Sequence, residues 1–236
     1  MNARRTLAIM QPTFLPWIGY FAMIDRVDEF IYLDSVQFAR RSWQQRNRIK
    51  TAQGELMLTI PVLKKGMRDQ QICETQIDLS GGFGTRHWRS IEGAYRNAPH
   101  FETHAAALEQ HFAAPAADLA DFNIGLIETL CRIFGIDTPR RRSSDMTSRG
   151  SKADLLAALC REAGADRYLS APGSKDYIEE SRAFEEAGVT VDYHLYEHPV
   201  YAQGKGEFLP YMAAIDVLFH LGAKDALTAM RAGVAR

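Results

Sequence analysis

LAIMQPTFLPWIGYF, residues 7–21, and EFIYLD, residues 29–34, decide the fold. Leu7 to Met10 is a short apolar run, the pattern of a strand buried on both faces. Pro12 and Pro16 end it, because proline lacks a ladder amide and pushes its predecessor into extended geometry. From Trp17 to Asp25, Ile18, Phe21, Ala22 and Ile24 recur at helical spacing. Glu29 to Asp34 reads as a second strand. A strand–helix–strand unit of this kind is parallel with a right-handed crossover.

Working outward, Asn47–Thr51 and Leu56–Val62 flank a turn at Ala52–Glu55 and predict a β-hairpin. Gln71–Leu79 predicts another strand. Helices are predicted over Thr85–Asn97, Phe101–Phe112 and Asp118–Phe134, the last closed by Gly135 as a left-handed cap. Arg140–Arg142 reads as a solvated face or a strand edge. Ser151 suits the N-cap of a helix through Ala163. A strand at Arg167–Ser170, a turn at Ala171–Ser174, a helix over Lys175–Gly188 and a strand at Val189–Tyr196 follow. A helix over Leu209–Leu221 and a short final helix close the chain. This order predicts an α/β fold: a mostly parallel sheet flanked by helices, with a hairpin and helical segment inserted over residues 46–135 of a single domain, 1–236.

The composition fits this reading. The 236 residues are 46% hydrophobic and 24% charged, enough to bury a core without covalent staples. A net charge of −1 gives no basic field, which argues against nucleic acid as a partner. No apolar run approaches the roughly 18–20 residues that span a bilayer. Met1–Thr6 has two arginines but no apolar h-region behind them, so a cytoplasmic location is expected. Cys73, Cys131 and Cys160 are widely spaced, as suits reduced thiols. The histidines match no metal-ligand spacing, and no metal site is expected.

Ligands of open α/β sheets sit beyond the carboxyl ends of the strands. Residues after each predicted strand are therefore the site candidates. At the first corner, Gln11 offers both a donor and an acceptor, Trp17 and Tyr20 offer rings, and Gly19 permits close approach. After the second strand come Asp34, Gln37, Arg40, Arg41, Arg46 and Asn47. An arginine-rich run there suits phosphate or carboxylate. Asp34 and Arg41 are the catalytic candidates of this group. Ser170, Gly173, Ser174 and Tyr177 form another strand–turn–helix corner, with Lys175 or Lys152 as a counter-charge for an anion. His198 follows the last strand and is the candidate acid or base. Tyr201 and Gln203 lie just beyond it as candidate lining residues.

Four stretches carry a family resemblance: IMQPTFLPWIGYFAMIDRVDEFIYLDSVQFARRSWQQRNRIKT from residue 9, SIEGAYRNAPHFE from residue 90, RYLSAPGSKDYIEE from residue 167, and YHLYEHPVYAQGKGEFLPYMAAIDVLF from residue 193. Together they resemble the WbqC-like family across nearly the whole chain. That resemblance implies work in cell-surface polysaccharide or O-antigen biosynthesis, transferring an acyl, aminoacyl or similar group to an amino sugar or nucleotide sugar. The opening unit is also similar to HIGH-motif nucleotidylyltransferases and pantothenate synthetases, which implies a HUP-like, Rossmann-like sheet. Gly19 stands where their motif glycine would, and Val36-Gln37-Phe38 where pantothenate synthetases have a similar triplet. Trp17 and Tyr20 replace the histidines that meet ATP phosphates. That likeness implies ATP or Mg2+ as cofactors to test for, and an acyl-adenylate ligase as the alternative to simple transfer. A non-catalytic nucleotide-sugar-binding module is the third alternative. In each, the expected partner is an anionic small molecule.

Overall fold

The computed structural model describes residues 4–63 and 69–234. Met1–Ala3, part of the stretch read for a leader, lie outside the described residues. Five parallel strands form the sheet: β1 (Thr6–Met10), β2 (Glu29–Tyr32), β5 (Arg140–Arg142), β6 (Arg167–Ser170) and β7 (Thr190–Tyr193), in the order β5-β2-β1-β6-β7. Strand order reverses between β1 and β6, which makes the carboxyl end of β1 the switch point of the sheet. The hairpin β3 (Arg46–Thr51) and β4 (Gly54–Thr59) forms a separate antiparallel pair.

Alternation along the strands builds two cores. Leu7, Ile9, Ile31 and Tyr168 face one side, where α5 (Lys152–Glu162), α6 (Lys175–Glu179) and α7 (Ala183–Ala187) supply Leu155, Leu159, Ile178 and Phe184. Ala8, Phe30, Tyr32 and Leu169 face the other. There they meet α1 (Ile18–Asp25), α2 (Phe83–Tyr95), α3 (Phe101–Ala113), α4 (Leu119–Phe134) and α8 (Ala214–Ala232). A strand covered on both faces needs apolar residues at every position, which is why β1 reads as a continuous run. Edge strand β5 is three arginines, each in an ion pair: Arg140–Glu128 at 2.9 Å, Arg141–Glu29 at 2.7 Å and Arg142–Asp121 at 2.6 Å. Charge on an edge strand blocks pairing with another chain.

Three expected elements differ, the first being the helix expected over Lys175–Gly188, which is split into α6 and α7. Gln71–Leu79 is not a strand; it holds a short 3-10 turn, Ile72–Glu74, and isolated bridges. Local side chains win there, because Glu74 accepts from the Gln71 amide at 2.8 Å and the Thr75 hydroxyl donates to the Gln71 carbonyl at 2.8 Å. The helix expected from Leu209 begins at Ala214. Gln203 occupies both the amide and the carbonyl of Leu209, and Pro210 holds Leu209 out of helical geometry. The break expected after Leu221 is present: Gly222 has φ 75° and splits α8.

The β1–α1 corner is held by amide side chains. Asn123 of α4 donates to Pro12 O at 3.0 Å and Gln44 O at 2.7 Å. Asn47 of β3 donates to Phe14 O at 3.1 Å and Leu15 O at 2.7 Å. Leu15 sits at φ 43°, a conformation costly for a branched side chain, and the Asn47 bond to its carbonyl fixes it. Trp17 then folds over Gly19, where an added Cβ would fall 2.2 Å from the indole Cη2. Beneath this corner, the His194 ring accepts from Arg26 at 2.9 Å, and burial next to that cation pushes its pKa down to about 4.

Gly19→Ala should therefore destabilise the fold by about 1–3 kcal/mol through overpacking. Trp17→Ala in the same chain should remove most of that penalty, as read by urea denaturation. His194 is neutral in the folded chain and titrates near pH 6.5 once unfolded. Its depressed pKa makes the unfolded state take up more protons, so stability falls as pH drops from about 6.5 to about 4. Melting curves across that window should show a smaller loss in His194→Gln.

Candidate functional site

A cavity of about 300 Å³ opens at the carboxyl end of β1. Met10 forms its floor with Thr13, Pro16, Trp17 and Tyr20 from the corner; Trp43, Asn47 and Arg48 come from the hairpin side, and Tyr211 from the segment before α8. Four of these residues carry aromatic rings. Trp43 and Tyr211 are about half exposed, whereas Tyr20 is buried, and burial raises its phenol pKa well above the ordinary value. The Tyr20 hydroxyl donates to Gln11 O at 3.2 Å and so stays neutral. The Arg48 guanidinium carbon lies 5.8 Å from the Trp43 ring centre, within cation–π reach. Its Nη1 donates to both oxygens of Glu55, at 3.0 and 2.9 Å, while its buried Nε has no partner.

The structure gathers only some of the candidates here. Trp17, Tyr20 and Asn47 line the cavity. Gly19 lies beneath the Trp17 indole, so its missing side chain admits that ring. Gln11 accepts from Gln44 at 2.8 Å and braces the corner. His198 stands one ring behind the wall: it stacks on Trp17 at 6.1 Å and meets Tyr211 edge-on at 5.2 Å. Its Nδ1 donates to the Pro199 carbonyl at 2.9 Å, and burial lowers its pKa, so Nε2 carries a free lone pair at neutral pH.

The other candidates have different surroundings. Asp34 is fully buried, and its carboxylate accepts from Ser143 Oγ at 3.1 Å, Ser144 N at 2.9 Å and Ser144 Oγ at 2.9 Å. It ties the end of β2 to the turn after β5 and does not reach either cavity wall. Tyr201 and Gln203 donate to the buried Asp216 carboxylate at 2.7 and 2.9 Å, and Tyr95 adds a third bond at 2.9 Å. Ser170 is buried, and Tyr177 packs on the core beneath α5. Gly173 and Ser174 form a short turn before α6. Arg40 and Arg41 are exposed, and Arg46 opens β3 opposite Thr59. Gln37 and Lys152 line a second cavity, of about 400 Å³, beyond β2 and β5.

Sequence reasoning did not single out Met10, Thr13, Pro16, Trp43, Arg48 or Tyr211 as lining residues. A helical reading of Leu209–Leu221 hid Tyr211, whose φ of 61° places it before the helix. The two-residue alternation of a hairpin strand could have placed Arg46 and Arg48 on one face. Among the described residues, no group of three His, Cys, Asp or Glu side chains could hold a metal ion. None of the described helices is long and apolar enough to cross a membrane.

No solved structure matches the chain. An uncharacterized protein of Mycobacterium tuberculosis, Rv1507c, is 38% identical over 227 residues, which cover 93% of this chain and 95% of that protein. The model of the WbqC-like protein family matches residues 11–227, from the first corner through most of α8. The chain therefore belongs to the WbqC-like protein family.

Proposed function

We propose that the chain is an enzyme of cell-surface polysaccharide biosynthesis that binds an amino sugar or nucleotide-linked sugar in the corner cavity and transfers an acyl or aminoacyl group to it. The observation that carries this reading is the lining: the rings of Trp17, Tyr20, Trp43 and Tyr211 beside Arg48, whose buried Nε lacks a partner. Rings stack on the apolar faces of sugars and bases, while a guanidinium pairs with phosphate or carboxylate in a fixed geometry. Position at the switch point of a parallel sheet supports the same reading. The likeness of the sequence to the WbqC-like family supplies the polysaccharide setting.

Catalysis in this reading rests on holding two reactants together and stabilising charge at Arg48. His198 acts through Trp17 and Tyr211 and is a positioning residue. An acyl-adenylate route is less favoured, because the Trp17 indole covers Gly19 at the start of α1, where a HIGH-type site would take phosphate.

Calorimetric titration with nucleotide-linked and free amino sugars, followed by mass spectrometry of acyl-donor mixtures, tests the proposal. Arg48→Ala and Trp43→Ala should each weaken sugar binding about tenfold, the equivalent of roughly 1.4 kcal/mol. Binding without product in every donor mixture would make the chain a binding module. Pyrophosphate release dependent on ATP would favour the ligase. His198→Gln should raise KM more than it lowers kcat and leave the pH–rate profile in place; a lost acidic limb would instead make His198 the base.

A further inference from the structure

The second cavity has a different chemistry from the first. Its wall includes Ser35 and Gln37 after β2, Asp69 and Gln71 beside them, and Ser151 and Lys152 at the start of α5. Among the described residues, no aromatic ring lines it. It holds, among the described residues, one cation and one carboxylate, Lys152 and Asp69, and neither belongs to an ion pair with another of them. Asp69 accepts a long bond from Gln37, at 3.4 Å. The Ser151 hydroxyl makes no capping bond to α5, although Ser151 stands at its N-cap.

Two opposite charges that share a cavity without touching select their ligand by sign. A simple anion drawn to Lys152 meets repulsion from Asp69, and a simple cation meets the reverse. A molecule carrying both charges gains twice. The hydroxyl and amide groups between them can each donate and accept, which suits the remaining polar atoms of such a molecule. We propose that this cavity is a site for a small zwitterion, an α-amino acid, with its carboxylate toward Lys152 and its ammonium toward Asp69. The site differs from the corner cavity in charge, in lining and in the strands that build it, and the proposal does not depend on the sugar reading.

The test is calorimetric titration of the full chain with each of the common amino acids, and of the best binder against its N-acetyl and carboxamide derivatives. Millimolar or tighter binding of at least one free amino acid is expected. Each derivative, lacking one charge, should bind at least tenfold more weakly. Asp69→Asn should weaken the free amino acid but not the N-acetyl form, which is freed of a repulsion. Lys152→Gln should weaken it but not the carboxamide, for the same reason. Circular dichroism confirms that both variants fold. No binding by any amino acid, equal binding of the blocked derivatives, or tighter binding of inorganic phosphate would overturn the proposal. Sugar titrations report on the first cavity and amino-acid titrations on the second, so each reading fails or stands alone.

Discussion

The grip of amide side chains on the carbonyls of residues 12–15 is the interaction on which the site depends. A segment broken twice by proline cannot satisfy its own backbone, and a buried carbonyl without a donor is costly. Asn123, from α4, and Asn47, from β3, supply the missing donors. Both belong to the inserted hairpin and helices, while the carbonyls belong to the sheet's first corner. Asn123 also binds the Gln44 carbonyl, and Gln44 in turn binds Gln11. One connected set of bonds thus fixes the insertion against the sheet. The cavity forms where the two meet, with Met10, Trp17 and Tyr20 from one, Asn47 and Arg48 from the other, and Trp43 from the chain that leads into the hairpin.

The sheet was legible in the sequence because its signals are local. The apolar run of β1, the prolines after it and the helical spacing of α1 all lie within one short window. The hairpin and the three helices of the insertion were legible for the same reason. What escaped reading was set by side chains bonding across loops. Gln203 fixes Leu209 from six positions away, and Glu74 closes a turn where a strand is expected. Tyr201 and Gln203 look like lining residues because they are polar and follow a strand. Their partner, Asp216, also binds Tyr95, 121 positions distant, and no local pattern announces such a pairing.

Gly19 shows how a correct placement can carry a different cause. Its position at a strand–helix corner suggests room for a ligand, yet the space above it holds the Trp17 indole. The ring in turn meets Tyr196, His198 and Tyr211. A HIGH-type corner leaves the helix start open to phosphate. Here the same glycine lets an aromatic wall stand close to the backbone. The guanidinium beside that wall is Arg48, on the hairpin strand β3.

That wall is only as firm as the segment behind it. From Leu195 to Ala213 the chain has no helix or extended strand, and such a length of irregular backbone is stable only when anchored. Buried Asp216 provides one anchor through Tyr201 and Gln203, and Lys50 provides another by donating to the Glu207 carbonyl at 2.8 Å. The Lys50 amide donates to the Tyr95 hydroxyl, and Tyr95 donates to Asp216, so both anchors join one network. Asp216 is fully buried and its three donors are neutral, an arrangement that loses far more when one partner is removed than any exposed ion pair would. The side chains of His198 and Tyr211 ride on the segment this network holds. The carboxylate that shapes the cavity is therefore Asp216, which never touches it, rather than Asp34, which the sheet spends on the turn after β5.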